Sequence, residues 1–124
     1  MDVNSLSPGV LAFVGDAFYG LLVRENLALV NRPSGELHSA SVKLVKAAAQ
    51  ANAFRVIESS LTEKEMSVYK RGRNAHVNSI PKNASVGDYH SATGLEALFG
   101  YLHLSGMDER AKELFAIILK CSDL

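Results

Sequence analysis

A chain of 124 residues is long enough for one domain with a single hydrophobic core. Its 13 Lys and Arg residues balance its 13 Asp and Glu residues, so the overall charge neither favours nor excludes a polyanionic partner. No apolar run approaches the roughly 20 residues that a membrane-spanning helix needs. Because Cys121 is the only cysteine and no secretory leader pattern precedes the first helix, we expect a cytoplasmic protein without a membrane segment.

The first two predicted helices are rich in apolar residues. Ser7 and Pro8 are a typical N-cap and first helical residue, and the helix they begin runs to about Asn26. A long, alanine-rich second helix follows from about Ser34 to Ile57; because it is apolar on more than one face, we expect it at the centre of a bundle. The apolar positions that predict the buried face of the first helix are Val10, Phe13, Val14, Ala17, Leu21 and Leu22.

Three further helices are predicted in the second half of the chain. The segment 62–65 is a capping box that begins a short third helix, and 85–88 is a candidate capping box for a fourth. The fourth helix ends at Ser105-Gly106, and Asp108 begins the last one. No stretch has the pattern of a strand. The sequence therefore predicts an all-α fold, with five main helices in one domain spanning residues 1–124.

Two carboxylates interrupt the apolar helices. Asp16 lies in the first helix and Glu96 in the fourth, and small residues lie four positions to either side of each. Residues at this spacing share a helix face, so another backbone can approach closely there. We therefore predict that the two helices cross and bring Asp16 and Glu96 together in a poorly solvated place. The flanking small residues are Ala12 and Gly20 for Asp16, and Ala92 and Gly100 for Glu96.

Two adjacent carboxylates with little access to water repel each other, so one is protonated or a cation lies between them. Magnesium commonly binds one or two protein carboxylates together with water and phosphate oxygens. We therefore interpret Asp16 and Glu96 as metal ligands. The structural alternative is that Asp16 pairs with a Lys or Arg, while Glu96 reaches solvent at a rim.

A local basic segment lies between residues 64 and 82, with five basic residues and one acid, Glu65. Arginine offers a two-pronged donor set suited to phosphate, and Gly72 would let the backbone approach a ligand. The alternative is a solvated helix end whose cations complement the helix dipole. The candidate phosphate contacts are Lys70, Arg71, Arg73, Asn74 and Lys82.

These motifs resemble a known family. Val14-Gly15-Asp16-Ala17 is similar to the GDA core of the ribonuclease III signature, and Glu96-Ala97-Leu98-Phe99-Gly100 is similar to its second, EALxG-type element. The order and spacing most resemble the Mini-ribonuclease III branch, which has the catalytic domain without a double-stranded-RNA-binding domain. The further segments that carry this resemblance are 70–75, 81–83 and 91–101.

The resemblance implies an all-α homodimer that cleaves double-stranded RNA with Mg²⁺, for which Mn²⁺ can substitute. Asp16 and Glu96 would be its catalytic and metal-binding residues. Members of this branch trim the precursor of 23S ribosomal RNA, so the implied partners are that RNA, a second copy of the chain and a ribosomal protein on the substrate. The chain departs from the larger family at two positions, where that family has acids and this sequence has Ala12 and Thr93. Waters, RNA phosphates or Thr93 would therefore complete the coordination shell of the metal.

Two other functions fit the same residues. In a non-catalytic RNA-binding or scaffolding dimer, Asp16 and Glu96 would be structural. An all-α nucleoside triphosphate pyrophosphohydrolase would instead use acids one helical turn apart, for which Glu109 and Glu113 are the nearest candidates. No zinc-type His or Cys spacing and no glycine-rich phosphate loop is present.

Overall fold

The computed structural model describes residues 1–76 and 79–122, which form an all-α fold. Within these ranges there are six α-helices, two short 3₁₀ turns at Val3–Ser5 and Glu58–Ser60, and no strand. No helix in the described part of the chain is long and apolar enough to cross a membrane. The helices are α1 (Pro8–Leu27), α2 (Ser34–Val45), α3 (Ala47–Ile57), α4 (Glu63–Arg73), α5 (Val86–Leu104) and α6 (Asp108–Lys120).

Local capping determines where three of these helices begin, as the sequence predicts. Ser7 Oγ accepts a hydrogen bond from the N–H of Val10 at 3.2 Å, and Pro8 is the first residue of α1. Thr62 and Glu65 form the predicted capping box. Thr62 Oγ1 accepts from the N–H of Glu65 at 3.1 Å, and Glu65 Oε1 accepts from the N–H of Thr62 at 2.9 Å. Ser85 caps α5 by accepting from the N–H of Asp88 at 3.0 Å.

The prediction of one uninterrupted second helix, and hence of five helices, was wrong. The chain leaves the helical conformation at Lys46, which has extended backbone angles (φ −63°, ψ 155°) and separates α2 from α3. No Gly or Pro marks this break, so tertiary packing overrides the high helix propensity of the alanine-rich segment. The break lets α3 pack against α5 while α2 packs against α1.

The centre of the bundle is α5, not the predicted second helix. It packs against α1, α3, α4 and α6. Four of its large side chains, Leu95, Leu98, Phe99 and Leu102, have no exposed surface. The middle turns of α5 are apolar on most sides, so neighbouring helices must cover most of this helix, which explains its central position.

The predicted crossing of the first and fourth helices is confirmed, and it brings two backbones into direct contact. A Cβ atom built on Gly15 of α1 would lie 1.6 Å from the carbonyl oxygen of Glu96 in α5. A Cβ on Gly100 would lie 1.9 Å from the carbonyl oxygen of Leu11. The contact therefore uses Gly15 and Gly100. The expectation that another backbone approaches closely at Gly20 was wrong, because a Cβ there would meet only Arg24 Nη1, at 3.7 Å.

The predicted inner face of α1 was also wrong for most of its positions. The face packed into the core carries Leu11, Phe18, Tyr19, Leu22 and Val23. Four of the six predicted core residues are instead exposed, namely Val10, Phe13, Ala17 and Leu21. Both faces of α1 are apolar, so helical periodicity alone does not identify the one that is buried.

A buried ion pair joins α4 to α6. Glu65 is only 3% exposed, and its two carboxylate oxygens accept hydrogen bonds from Arg110 Nε and Nη2, both at 2.9 Å. Arg110 Nη2 also donates to the carbonyl of Ser60 at 2.7 Å. The Arg110 guanidinium holds the pKa of Glu65 below its usual value. Glu65 therefore has a structural role in addition to capping α4.

Candidate metal centre

The glycine crossing places Asp16 beside Glu96. Gly15 immediately precedes Asp16, and the backbone atom it touches is the carbonyl oxygen of Glu96 itself. The Asp16 carboxylate is close enough for its charge to raise the pKa of Glu96. The arrangement thus joins two residues that are eighty positions apart in the sequence.

Glu96 is held in an environment that disfavours its charge. Its pKa is raised from 4.5 to about 7, mainly because burial penalises the ionised form. The amide of Gln50 opposes this shift by donating a hydrogen bond to Glu96 Oε2 at 3.2 Å, while the nearby charge of Asp16 increases it. A cation between the acids would relieve both the repulsion and the cost of burial.

The expectation that both carboxylates are poorly solvated holds for Glu96 but was wrong for Asp16, which is exposed. In the described ranges, the recorded ion pairs join Arg110 to Glu65 and Glu113, and His103 to Asp108, so none of them engages Asp16. This geometry does not support the alternative of Asp16 in a structural ion pair. Glu96 is half-buried and reaches an open groove.

That groove has a volume of about 430 Å³ and lies between the α2–α3 break, the loop before α5 and one face of α5. The sequence analysis gave no role in a site to Lys46, Gln50 or Asp88, which line it. The one available signal was that Gln50 is a polar residue on an otherwise apolar face of an alanine-rich segment. The polar side chains lining the groove include Lys46, Gln50, Asn83, Asp88, Thr93 and Glu96.

The donors around Glu96 fit a hard divalent cation. Thr93 Oγ1 donates to the carbonyl of Tyr89 at 3.0 Å, and its oxygen keeps a lone pair. Glu96, which lines the groove together with Thr93, offers its carboxylate oxygens in addition to this hydroxyl. Oxygen donors of this kind suit Mg²⁺ or Mn²⁺. Across residues 1–76 and 79–122 no group of three or more His, Cys, Asp or Glu is arranged for a metal, so protein carboxylates would supply only part of the shell.

The predicted RNA-binding residues divide into two places. Lys70, Arg71 and Asn74 line a shallow depression along α4 that is separate from the Glu96 groove. Lys82 is exposed in the loop before α5, and its neighbours Pro81 and Asn83 line the groove of Glu96. Of the five candidates, Lys82 therefore belongs to the segment beside the carboxylates.

Two of the basic side chains are partly held by the protein. Arg71 Nη2 donates to the carbonyl of Leu6 at 3.2 Å. The Arg73 guanidinium lies over the ring of Tyr69, 5.7 Å from its centre, and Nε donates to Asn74 Oδ1 at 3.3 Å. The expected closeness of Gly72 to a ligand was wrong, since a Cβ there would lie 2.7 Å from the Cβ of Ala97, and this glycine serves packing against α5.

Comparisons with known proteins agree on one family. The Ribonuclease III domain profile matches residues 9–107. Proteins named Mini-ribonuclease 3 are similar over most of the chain. The one from Thermoanaerobacter is 47% identical over 116 residues, covering 93% of this chain and 82% of the relative. The one from Brevibacillus brevis is 46% identical over 123 residues, covering 94% and 91%.

The fold also has a solved counterpart. A crystal structure of a Fusobacterium nucleatum protein superposes with a TM-score of 0.88 at 28% identity, covering 96% of each chain. Together with the carboxylate pair at the α1–α5 crossing, these similarities establish that the chain belongs to the ribonuclease III family and is an endoribonuclease.

Proposed function

We propose that this protein is a Mg²⁺-dependent endoribonuclease, able to use Mn²⁺, that hydrolyses phosphodiester bonds in double-stranded RNA at Asp16 and Glu96. The observation that carries this proposal is the glycine contact that joins the two carboxylates. The relatives' name, Mini-ribonuclease 3, supports an activity on RNA, and the motif resemblance implies the precursor of 23S ribosomal RNA as the natural substrate. Such a substrate implies a cytoplasmic location and a ribosomal protein close to the cleavage site.

Asp16 and Glu96 would hold the cation between α1 and α5. When bound, the cation supplies an activated water and charge stabilisation on the scissile phosphate. Glu96 must give up its proton to act as a ligand, so at pH values below about 7 protons compete with the metal. The Thr93 hydroxyl, with its proton committed to the carbonyl of Tyr89, can present only its oxygen to the site.

Basic residues along α4 and in the loop before α5 would hold the RNA backbone. Lys70, Arg71 and Lys82 are exposed, and no ion pair of theirs is recorded within residues 1–76 and 79–122. Arg73 and Asn74 lie at the C-terminal end of α4, and Asn74 also lines the depression. Phosphate contacts of this kind give binding that depends strongly on salt and little on sequence, as expected for duplex RNA.

The exposed apolar stripe of α1 supports a homodimer. Val10, Phe13, Ala17 and Leu21 are exposed along one helix face, with Phe13 exposed at 81%. An unpaired aromatic side chain in such a stripe is typical of a protein–protein interface. Because Asp16 is adjacent to this stripe in α1, a two-fold pairing would bring two metal centres near one another and allow both RNA strands to be cut.

We expect Phe13→Glu to convert the dimer to a monomer. A charge placed in an apolar interface, together with loss of an aromatic anchor, should weaken association by more than about 100-fold. Sedimentation velocity at micromolar concentration measures this. Leu29→Glu is the matched control, because Leu29 is also 82% exposed but lies beyond the end of α1. A monomeric wild type would contradict the dimer.

The decisive test of the proposed function is cleavage of a long RNA duplex at low salt. We expect staggered double-strand cuts with Mg²⁺ and no cuts with EDTA. For Asp16→Asn we expect a cleavage rate at least about 1,000-fold lower, because a lost metal ligand removes several kcal/mol of transition-state stabilisation. Glu25→Gln, an exposed acid on the same helix, is the control that should cleave normally.

The rival functions predict different outcomes. A scaffolding dimer would leave the duplex intact whether or not Asp16 is present. A pyrophosphohydrolase would release pyrophosphate from nucleoside triphosphates, but its candidate acids are poorly placed, because Glu109 and Glu113 are exposed and Glu113 is paired with Arg110 at 2.6 Å. If the folded wild-type protein left the RNA duplex intact, the proposal that it cleaves a free duplex would be overturned.

A further inference from the structure

Gln50 joins the helix break to the carboxylate pair. It lies in the first turns of α3 and is only 3% exposed. Its Nε2 atom donates to the carbonyl oxygen of Val45 at 2.8 Å and to Glu96 Oε2 at 3.2 Å. A primary amide has two N–H groups, so one is used on each acceptor.

These two acceptors determine which way the amide points. The reversed amide would place its oxygen against a carbonyl and a carboxylate oxygen, with no donor for either. Nε2 must therefore face Val45 and Glu96, and Oε1 points elsewhere. Oε1 is buried and has no partner in the described part of the chain, although Gln50 lines the groove of Glu96. The contact that Gln50 makes with the site is therefore the hydrogen bond that Nε2 donates to Glu96 Oε2.

The helix break makes the Val45 carbonyl available to Gln50. Val45 is the last residue of α2, so its carbonyl lacks the partner that a continuous helix would provide. Gln50 satisfies that carbonyl and is anchored by it. The break at Lys46 thus has a chemical consequence, since it fixes a rigid, buried donor beside Glu96.

We propose that Gln50 is a positioning residue of the metal centre, holding the Glu96 carboxylate in place for a divalent cation through the hydrogen bond from its Nε2. This inference rests on the proposed function. Second-layer partners of this kind orient metal ligands and affect affinity without touching the metal. A purely structural role, in which Gln50 only secures the helix break, is the alternative.

The test is Gln50→Met, which keeps the side-chain length and removes both donor and acceptor. Mn²⁺ binding is measured without RNA by electron paramagnetic resonance, and duplex cleavage is measured against Mg²⁺ concentration. We expect the Mn²⁺ dissociation constant and the half-saturating Mg²⁺ concentration to rise by about 10- to 100-fold. The rate at saturating Mg²⁺ should change much less. A purely structural role would lower the melting temperature and leave both metal constants unchanged.

Two further variants keep the result interpretable. Ser41→Ala removes another buried polar group, whose hydroxyl donates to the carbonyl of His38 at 2.8 Å, and should lower stability without changing metal binding. Gln50→Asn keeps the amide but is too short to reach both acceptors, so it should also weaken Mn²⁺ binding if the Met variant does not fold.

The outcomes separate this inference from the proposed function. Unchanged metal constants in folded Gln50 variants of a wild type that binds Mn²⁺ and cleaves RNA would overturn the positioning role alone. A wild type that neither binds Mn²⁺ nor cleaves the duplex would overturn both.

Discussion

Gly15→Ala should prevent folding or cost more than about 4 kcal/mol of stability, which is exceptional for one methyl group. The added Cβ would lie 1.6 Å from the carbonyl oxygen of Glu96 and 2.8 Å from the backbone N of Gly100. These are backbone atoms of the central helix, so no side-chain movement can make room, and α1 and α5 would have to separate. Urea denaturation followed by circular dichroism measures the loss.

Gly87→Ala is the matched control for this prediction. Gly87 lies in the first turn of α5, and a Cβ there would meet nothing within 4 Å. The substitution should be neutral or stabilise the protein by up to about 1 kcal/mol, because alanine favours the helix. If Gly15→Ala proved as stable as Gly87→Ala, the backbone contact between α1 and α5 would be contradicted.

Glu96→Gln should abolish RNA cleavage and, without metal, make the protein more stable at alkaline pH. The folded state raises the pKa of Glu96 from 4.5 to about 7, so it binds the proton more tightly than the unfolded chain does. The stabilisation from this proton is complete below about pH 4.5 and is lost as the pH rises to 7 and above. Glutamine is uncharged at every pH and avoids this loss.

The expected gain for Glu96→Gln is on the order of 1 to 3 kcal/mol at pH 8 in EDTA, with little difference from the wild type near pH 4.5. Urea denaturation at the two pH values measures it. Adding Mg²⁺ should stabilise the wild type and not the variant, since only the wild type retains the charged ligand. Equal stability of both proteins at pH 8 in EDTA would contradict the raised pKa of Glu96.

The sequence predicted those features that depend on local chemistry. Ser7, Thr62 and Ser85 cap their helices because each side chain meets an N–H group only three residues away. The crossing of α1 and α5 was also predictable, because small residues around isolated carboxylates indicate close backbone approach. The motif resemblance added the family, which the comparisons then established.

Features that depend on tertiary packing could not be predicted in this way. Nothing in the local sequence marks Lys46 as a helix break, since its cause is the packing of α3 against α5. Phe13 and Phe18 are equally apolar, yet one is exposed and the other buried, because only the folded chain determines which face of α1 meets the core. The sequence analysis did not identify Gln50 for the same reason, because its contact with the Val45 carbonyl exists only where the helix breaks at Lys46.

The position of the two carboxylates has a consequence for synthesis of the protein. Asp16 lies in α1, whereas Glu96 lies in α5, the fifth of the six α-helices in the described residues. A nascent chain that ends before α5 therefore carries Asp16 without Glu96. It also lacks the glycine contact that aligns the two carboxylates. If the proposed function is right, such a fragment should neither bind the cation nor cut RNA, and cleavage should begin only after α5 has been made and has packed against α1.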